Sequence, residues 1–122
     1  MKTYLIIGLS VLTAAFFGCS NGKSQSNTSL TATEFAEKAK ETPNAVIVDV
    51  RTPDEFSKGH LPNALNIDWK GADFDGQTAK LDKSTPVFVY CMSGSRSASA
   101  ADKMRTDGFK EVYELNGGIM KW

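Results

Sequence analysis

Val87-Phe88-Val89-Tyr90-Cys91-Met92-Ser93-Gly94-Ser95-Arg96-Ser97 carries three local signals in one short stretch. Its apolar, β-branched and aromatic start predicts a strand from Pro86 to Tyr90. Small residues follow Cys91, and Gly94 can take a positive φ without the steric penalty that a Cβ brings. An Ala/Ser-rich pattern then predicts a helix from Arg96 to Asp107. Ala98, Ala101 and Ser97 form its small-residue face, and Gly108 stands where the chain leaves it. Strand, tight loop and helix are the repeating unit of an α/β domain with a mostly parallel sheet and right-handed crossovers.

The same loop suggests chemistry. A thiol at its first position faces the start of a helix, where backbone N–H groups lack intrahelical partners and the dipole end is positive. Both favour the thiolate, the nucleophilic form that an unperturbed cysteine mostly lacks at neutral pH. Arg96 adds a permanent cation in the same turn. With Met92, Ser93, Gly94 and Ser95 between them, Cys91 and Arg96 frame a small anion nest. The spacing is C-x4-R, one residue tighter than the C-x5-R of cysteine-dependent phosphatases. The smaller ring suits a single extra sulfur on Cys91 better than a tetrahedral oxyanion. Two bland readings stay open at this point: an inert buried thiol, and an arginine that merely lies on the helix surface.

Working outward, Thr31-Ala32-Thr33-Glu34 is a capping box, with Leu30 and Phe35 placed for a hydrophobic staple. The helix runs to about Lys40, and Pro43-Asn44 ends it. Ala45 to Val50 is a β-branched run that suits a buried strand, interrupted by Asp49. Thr52-Pro53-Asp54-Glu55 starts a second, short helix with proline at its first position. Ala64 to Ile67 predicts another short strand. Trp69 to Ser84 reads mostly as loop, with a helical turn or two between Asp73 and Leu81. Glu111 to Leu115 is a last strand, and Asn116-Gly117-Gly118 turns the chain into an apolar stub ending at Trp122. Trp69 and Trp122 are core or rim residues. Composition bounds the function. The 122 residues carry 14 Lys+Arg against 14 Asp+Glu, and no basic stripe or basic–aromatic interleaving invites nucleic acid.

The N-terminus has its own pattern. Lys2 precedes a mostly apolar stretch from Tyr4 to Phe17, too short for a membrane span but suited to a secretory signal. Phe16-Phe17-Gly18-Cys19 resembles the end of a bacterial lipoprotein signal, although Phe16 departs from the usual leucine. That resemblance implies a signal peptide over residues 1–18, lipidation of Cys19, and a domain held in the bacterial cell envelope outside the cytoplasm. Residues 19–29, rich in Ser and Asn, read as a flexible tether, and the folded domain as residues 30–122. The chain has two cysteines. With Cys19 lipidated, Cys91 has no partner for a disulfide, and nothing near it has the spacing of a metal site.

Larger segments now fit one pattern. Val46-Ile47-Val48-Asp49-Val50-Arg51, then Glu55-Phe56, then Gly59-His60-Leu61-Pro62-Asn63-Ala64-Leu65-Asn66-Ile67, then the Cys91 loop, then Leu115-Asn116-Gly117-Gly118-Ile119 and Trp122 resemble a single-domain rhodanese in order and spacing. The resemblance implies a central five-stranded parallel sheet flanked by helices. It implies a sulfurtransferase that works through a persulfide, with Cys91 as sulfur carrier and the N–H groups from Met92 to Arg96 cradling the anionic sulfur. Arg96 closes the loop and helps hold an anionic donor. Asp49 and Arg51 match the family's strand-end pair and support the loop structurally; His60 is structural as well. The reaction needs no cofactor and no metal. Its partners are a small sulfur donor such as thiosulfate, and cyanide, a thiol or a protein cysteine as acceptor. The rival readings are a non-catalytic rhodanese-like binding module, a cysteine phosphatase or arsenate reductase, and a redox partner of a thioredoxin-like protein. The retained cysteine counts against the first and the short loop against the second.

Overall fold

A computed structural model describes residues 28–122. The expected signal peptide, Cys19 and most of the tether therefore lie outside the described residues. Five strands form one sheet: β1 (Ser29–Leu30), β2 (Val46–Asp49), β3 (Leu65–Asn66), β4 (Val87–Tyr90) and β5 (Val112–Leu115). Their spatial order is β1-β5-β4-β2-β3, and every neighbouring pair is parallel. Helices α1 (Ala32–Glu41), α2 (Pro53–Ser57), α3 (Phe74–Thr78) and α4 (Ser95–Thr106) connect them, and a 3-10 turn, Ile119–Lys121, closes the described chain. The α/β class with a five-stranded parallel sheet is as the sequence implies.

The two-residue period of a strand divides β4 between two cores. Val87, Val89 and Cys91 pack with Val48, Val50, Phe74, Ala100, Ala101 and Met104 on one side. Phe88 and Tyr90 pack with Leu30, Phe35, Leu61 and Leu115 on the other. Phe35, at the fourth position of α1, sets its ring edge-on to Phe88 at a centroid distance of 5.4 Å. Its entry angle follows from the capping box, with Glu34 N–H donating to Thr31 Oγ1 at 3.2 Å and Thr31 N–H to Glu34 Oε1 at 3.1 Å.

The structure corrects two local expectations. Ser29 belongs to β1 rather than to the tether, because it and Leu30 pair with Glu114 and Leu115. A strand of two residues is too short to show any periodicity. The buried face of α4 is Ser97, Ala100, Ala101 and Met104, and Ala98 is exposed. The i, i+3, i+4, i+7 spacing from Ser97 excludes Ala98 from that stripe.

Candidate active site

The alternation along β4 puts the Cys91 side chain on the α4 side of the sheet, at the foot of a loop that lasts only until Ser95 begins the helix. Gly94 stands at the N-cap with φ 109°, a left-handed conformation that turns its N–H back toward the sulfur. That N–H donates to Cys91 Sγ at 3.0 Å. The Ser97 hydroxyl lies 3.4 Å from the sulfur and also donates to the Gly94 carbonyl at 3.1 Å. Cys91 is 1 % exposed. Burial alone raises a thiol's pKa. Here the Ser97 hydroxyl and the N–H groups of Ser97, Gly94 and Ser93 together outweigh burial and lower it.

What keeps the loop's N–H groups turned inward is the chain's last turn. The Cys91 and Met92 carbonyls point the opposite way, toward the 3-10 turn. They accept from Ile119 N–H at 2.9 Å and Met120 N–H at 3.2 Å. Gly118 permits this approach, since a Cβ there would collide with the backbone of Met92 and Cys91. The Asn116-Gly117-Gly118 turn is thus the outer wall of the loop.

Arg96 lies one residue into α4, where a cation is unfavourable to the helix dipole. Glu55 compensates. Arg96 Nη1 donates to Glu55 Oε1 at 2.7 Å and Nη2 to Oε2 at 3.0 Å, a two-pronged pair of half-buried side chains. Glu55 is itself fixed by the start of α2. It closes a capping box with Thr52, accepting from the Thr52 hydroxyl at 3.1 Å and from its N–H at 3.3 Å. The Arg96 hydrogen bonds hold its carboxyl down at about 2, so it is ionised across the physiological range.

The expected site residues separate into two groups. Cys91, Met92, Ser93, Gly94, Ser95 and Arg96 form the loop and the first helical turn. Asp49 and Arg51 bind one another at the end of the neighbouring strand, β2. Arg51 Nη2 donates to Asp49 Oδ2 at 2.7 Å and to the Gly59 carbonyl at 2.6 Å, and both residues are buried. Asp49 also accepts from the Arg51 N–H at 2.9 Å, and Arg51 sits over the Tyr90 ring, 5.7 Å from its centroid. The Tyr90 hydroxyl accepts from the Leu61 N–H at 3.0 Å. This buried set ties β2, the segment after α2 and the end of β4 into one support beneath Cys91. His60 is exposed, stacked on Phe56 with its Nδ1 2.9 Å from the Phe56 carbonyl. Two residues of the site escaped the sequence reading, Ser97 and Glu55. Ser97 was legible as a polar residue at a position facing the sheet. Glu55 was visible as a helix-cap residue and as part of the Glu55-Phe56 segment of the resemblance, neither of which pairs it with Arg96.

Comparison with known proteins follows the same lines. A family model described as "Rhodanese-like domain" matches residues 31–122. The chain is 43% identical over 77 residues to the thiosulfate sulfurtransferase GlpE of Coxiella burnetii, covering 63% of this chain and 70% of that protein. It is 31% identical over 88 residues to a sulfurtransferase of Allochromatium vinosum, covering 72% and 80%. Among solved structures, a rhodanese-like domain protein from Staphylococcus aureus superposes with a TM-score of 0.69 at 28% identity, over 78% of this chain and 90% of that one. A rhodanese-related protein from Thermoplasma volcanium gives 0.67 at 28% identity, over 77% and 88%.

Proposed function

This chain belongs to the rhodanese-like domain family, and from that premise we propose that it is a sulfurtransferase carrying sulfane sulfur on Cys91. The observation that supports this reading most directly is the sulfur's hydrogen-bonded setting, with Gly94 N–H at 3.0 Å and the Ser97 hydroxyl at 3.4 Å. A donor N–H group next to sulfur favours thiolate and persulfide over thiol, which is what both halves of a transfer need.

In the first half, the Cys91 thiolate attacks the terminal sulfur of a donor such as thiosulfate. An S–S bond forms to Cys91, the donor's own S–S bond breaks, and sulfite leaves with the bonding pair. In the second half, cyanide, a thiolate or a protein cysteine attacks the outer sulfur, and Cys91 leaves as thiolate. Dividing one transfer into two displacements is covalent catalysis. Because the sulfur lies at the foot of a narrow loop, a slender terminal sulfur reaches it more readily than a bulky electrophile. Mass spectrometry of the protein after thiosulfate treatment tests the reading. A one-sulfur adduct on Cys91 that is absent from Cys91→Ser is expected. An unmodified Cys91 after a panel of sulfane donors would refute it.

The proposal extends to location. Lys2, the apolar stretch to Phe17 and Gly18-Cys19 support export and lipid anchoring at Cys19 in a bacterial envelope. Incorporation of labelled fatty acid, lost in Cys19→Ala, is the expected result; equal labelling of both proteins, or none in either, would reject it.

A further inference from the structure

The loop holds one cation, Arg96, and Glu55 engages it through both carboxylate oxygens. The other loop side chains, Met92, Ser93 and Ser95, are neutral. The nearby Arg51 charge is likewise taken up by Asp49, and Lys121, whose side chain lies against Gly117, acts on the rim in wild type and variant alike. With Cys91 as thiolate, the group Cys91, Arg96 and Glu55 carries a net negative charge. Without Glu55 it would be neutral. We propose that Glu55 makes the site select sulfur donors of low charge: a monoanionic or uncharged sulfane sulfur is used in preference to the thiosulfate dianion. This rests on Cys91 being the sulfur carrier, and it adds the charge class of the substrate.

The physical basis is a difference between two electrostatic energies. Each donor approaches the same thiolate, loop and arginine, but the dianion meets the Glu55 carboxylate with one charge more. Removing that carboxylate charge relieves the dianion more than the monoanion. Glu55 is also a positioning residue, because the capping box at Thr52 orients it and it in turn orients the guanidinium. Loss of orientation also reaches the donors through Arg96, so the charge effect is read against Glu55→Asp, which keeps the carboxylate charge on a shorter arm and disturbs the two-pronged geometry.

Thiosulfate and methanethiosulfonate form a suitable pair. Both present a terminal sulfur on a sulfonyl centre, and a methyl group in the second replaces one anionic oxygen. With the first, thiolate plus thiosulfate gives Cys91 persulfide and sulfite. With the second, thiolate plus methanethiosulfonate gives the same persulfide and methanesulfinate. The experiment measures kcat/KM for both donors, with cyanide as acceptor, in the full protein, in Glu55→Gln and in Glu55→Asp. The wild type is expected to prefer methanethiosulfonate. In Glu55→Gln the thiosulfate-to-methanethiosulfonate ratio should rise about threefold or more, the size of one screened charge acting on one extra charge. Raising ionic strength should move the wild-type ratio in the same direction, and should move the Glu55→Gln ratio less, because one of the screened charges is gone. A ratio unchanged in Glu55→Gln, with Cys91 still accepting sulfur, overturns charge selection whatever salt does to the wild type, and leaves Glu55 with orientation alone. Failure of Cys91 to accept sulfur from either donor would instead reject the sulfurtransferase reading.

Discussion

Replacing Ser97 with alanine separates the hydroxyl's effect on the sulfur from its effect on the fold. In the thiol form the contact is weak, with sulfur and oxygen 3.4 Å apart. In the thiolate form the hydroxyl can turn from the Gly94 carbonyl to the sulfur and become a charge-assisted donor. Hydrogen bonds to charged groups contribute about 1.5–3 kcal/mol, and one pKa unit corresponds to about 1.4 kcal/mol. The N–H groups of Gly94, Ser93 and Ser97 remain, so the lower end applies: the Cys91 pKa should rise by about one unit in Ser97→Ala. Folding should change little. The Gly94 carbonyl keeps the Ala98 N–H at 3.1 Å, and alanine fits the buried position against the sheet. The loss is about 1 kcal/mol or less. Ultraviolet absorbance of the thiolate across a pH series gives the midpoint directly, and the rate of alkylation by a small haloacetamide gives it independently. At neutral pH, sulfur uptake by Cys91 should fall in step with the thiolate fraction, by at most about tenfold for a one-unit shift. An unshifted midpoint with a folded protein would show that the backbone N–H groups alone set the acidity of the thiol.

Three further outcomes follow from the packing around the loop. Gly118→Ala puts a Cβ against the Met92 and Cys91 backbone at a residue with φ 66°, so it should cost about 2–5 kcal/mol and abolish sulfur uptake; calorimetry and the mass-spectrometric assay measure the two effects. Asp49→Ala leaves the 4 % exposed Arg51 charge uncompensated, which should cost about 3–5 kcal/mol in denaturant unfolding, while an apolar replacement of both partners should recover most of it. Glu55 has a depressed carboxyl pKa, so its ionised form favours the folded state. That stabilisation is complete above the ordinary carboxylate value of 4.5 and disappears as pH falls through about 2. The stability gap between wild type and Glu55→Gln, read from denaturant midpoints, should therefore close over that acid window; a gap that persists unchanged contradicts the ion pair.

Much of the molecule is governed by short-range rules and is legible without coordinates. The apolar, β-branched and aromatic run from Val87 to Tyr90 decides where β4 lies. The Thr31 and Thr52 capping boxes decide where two helices begin. The left-handed position at Gly94 and the short gap between Cys91 and Arg96 decide the size of the loop. Each depends on sterics and hydrogen bonds among residues close in the chain, so the local sequence suffices. β1 escaped because a strand as short as Ser29–Leu30 exists only through its pairing with Glu114 and Leu115.

The charge state of the site belongs to the tertiary structure. Arg96 and Glu55 are 41 positions apart, and the chain offers 14 acidic residues from which a partner could come. Only the crossover that carries β2 into α2, beside the end of β4, selects Glu55. The inward-turned N–H groups depend likewise on the last turn, whose Ile119 and Met120 N–H groups hold the loop carbonyls away from the sulfur. Local sequence determined that Cys91 heads a tight, helix-capped loop. Long-range packing decided that the loop's one arginine is neutralised, because charge pairing depends on distance in space and not on distance along the chain.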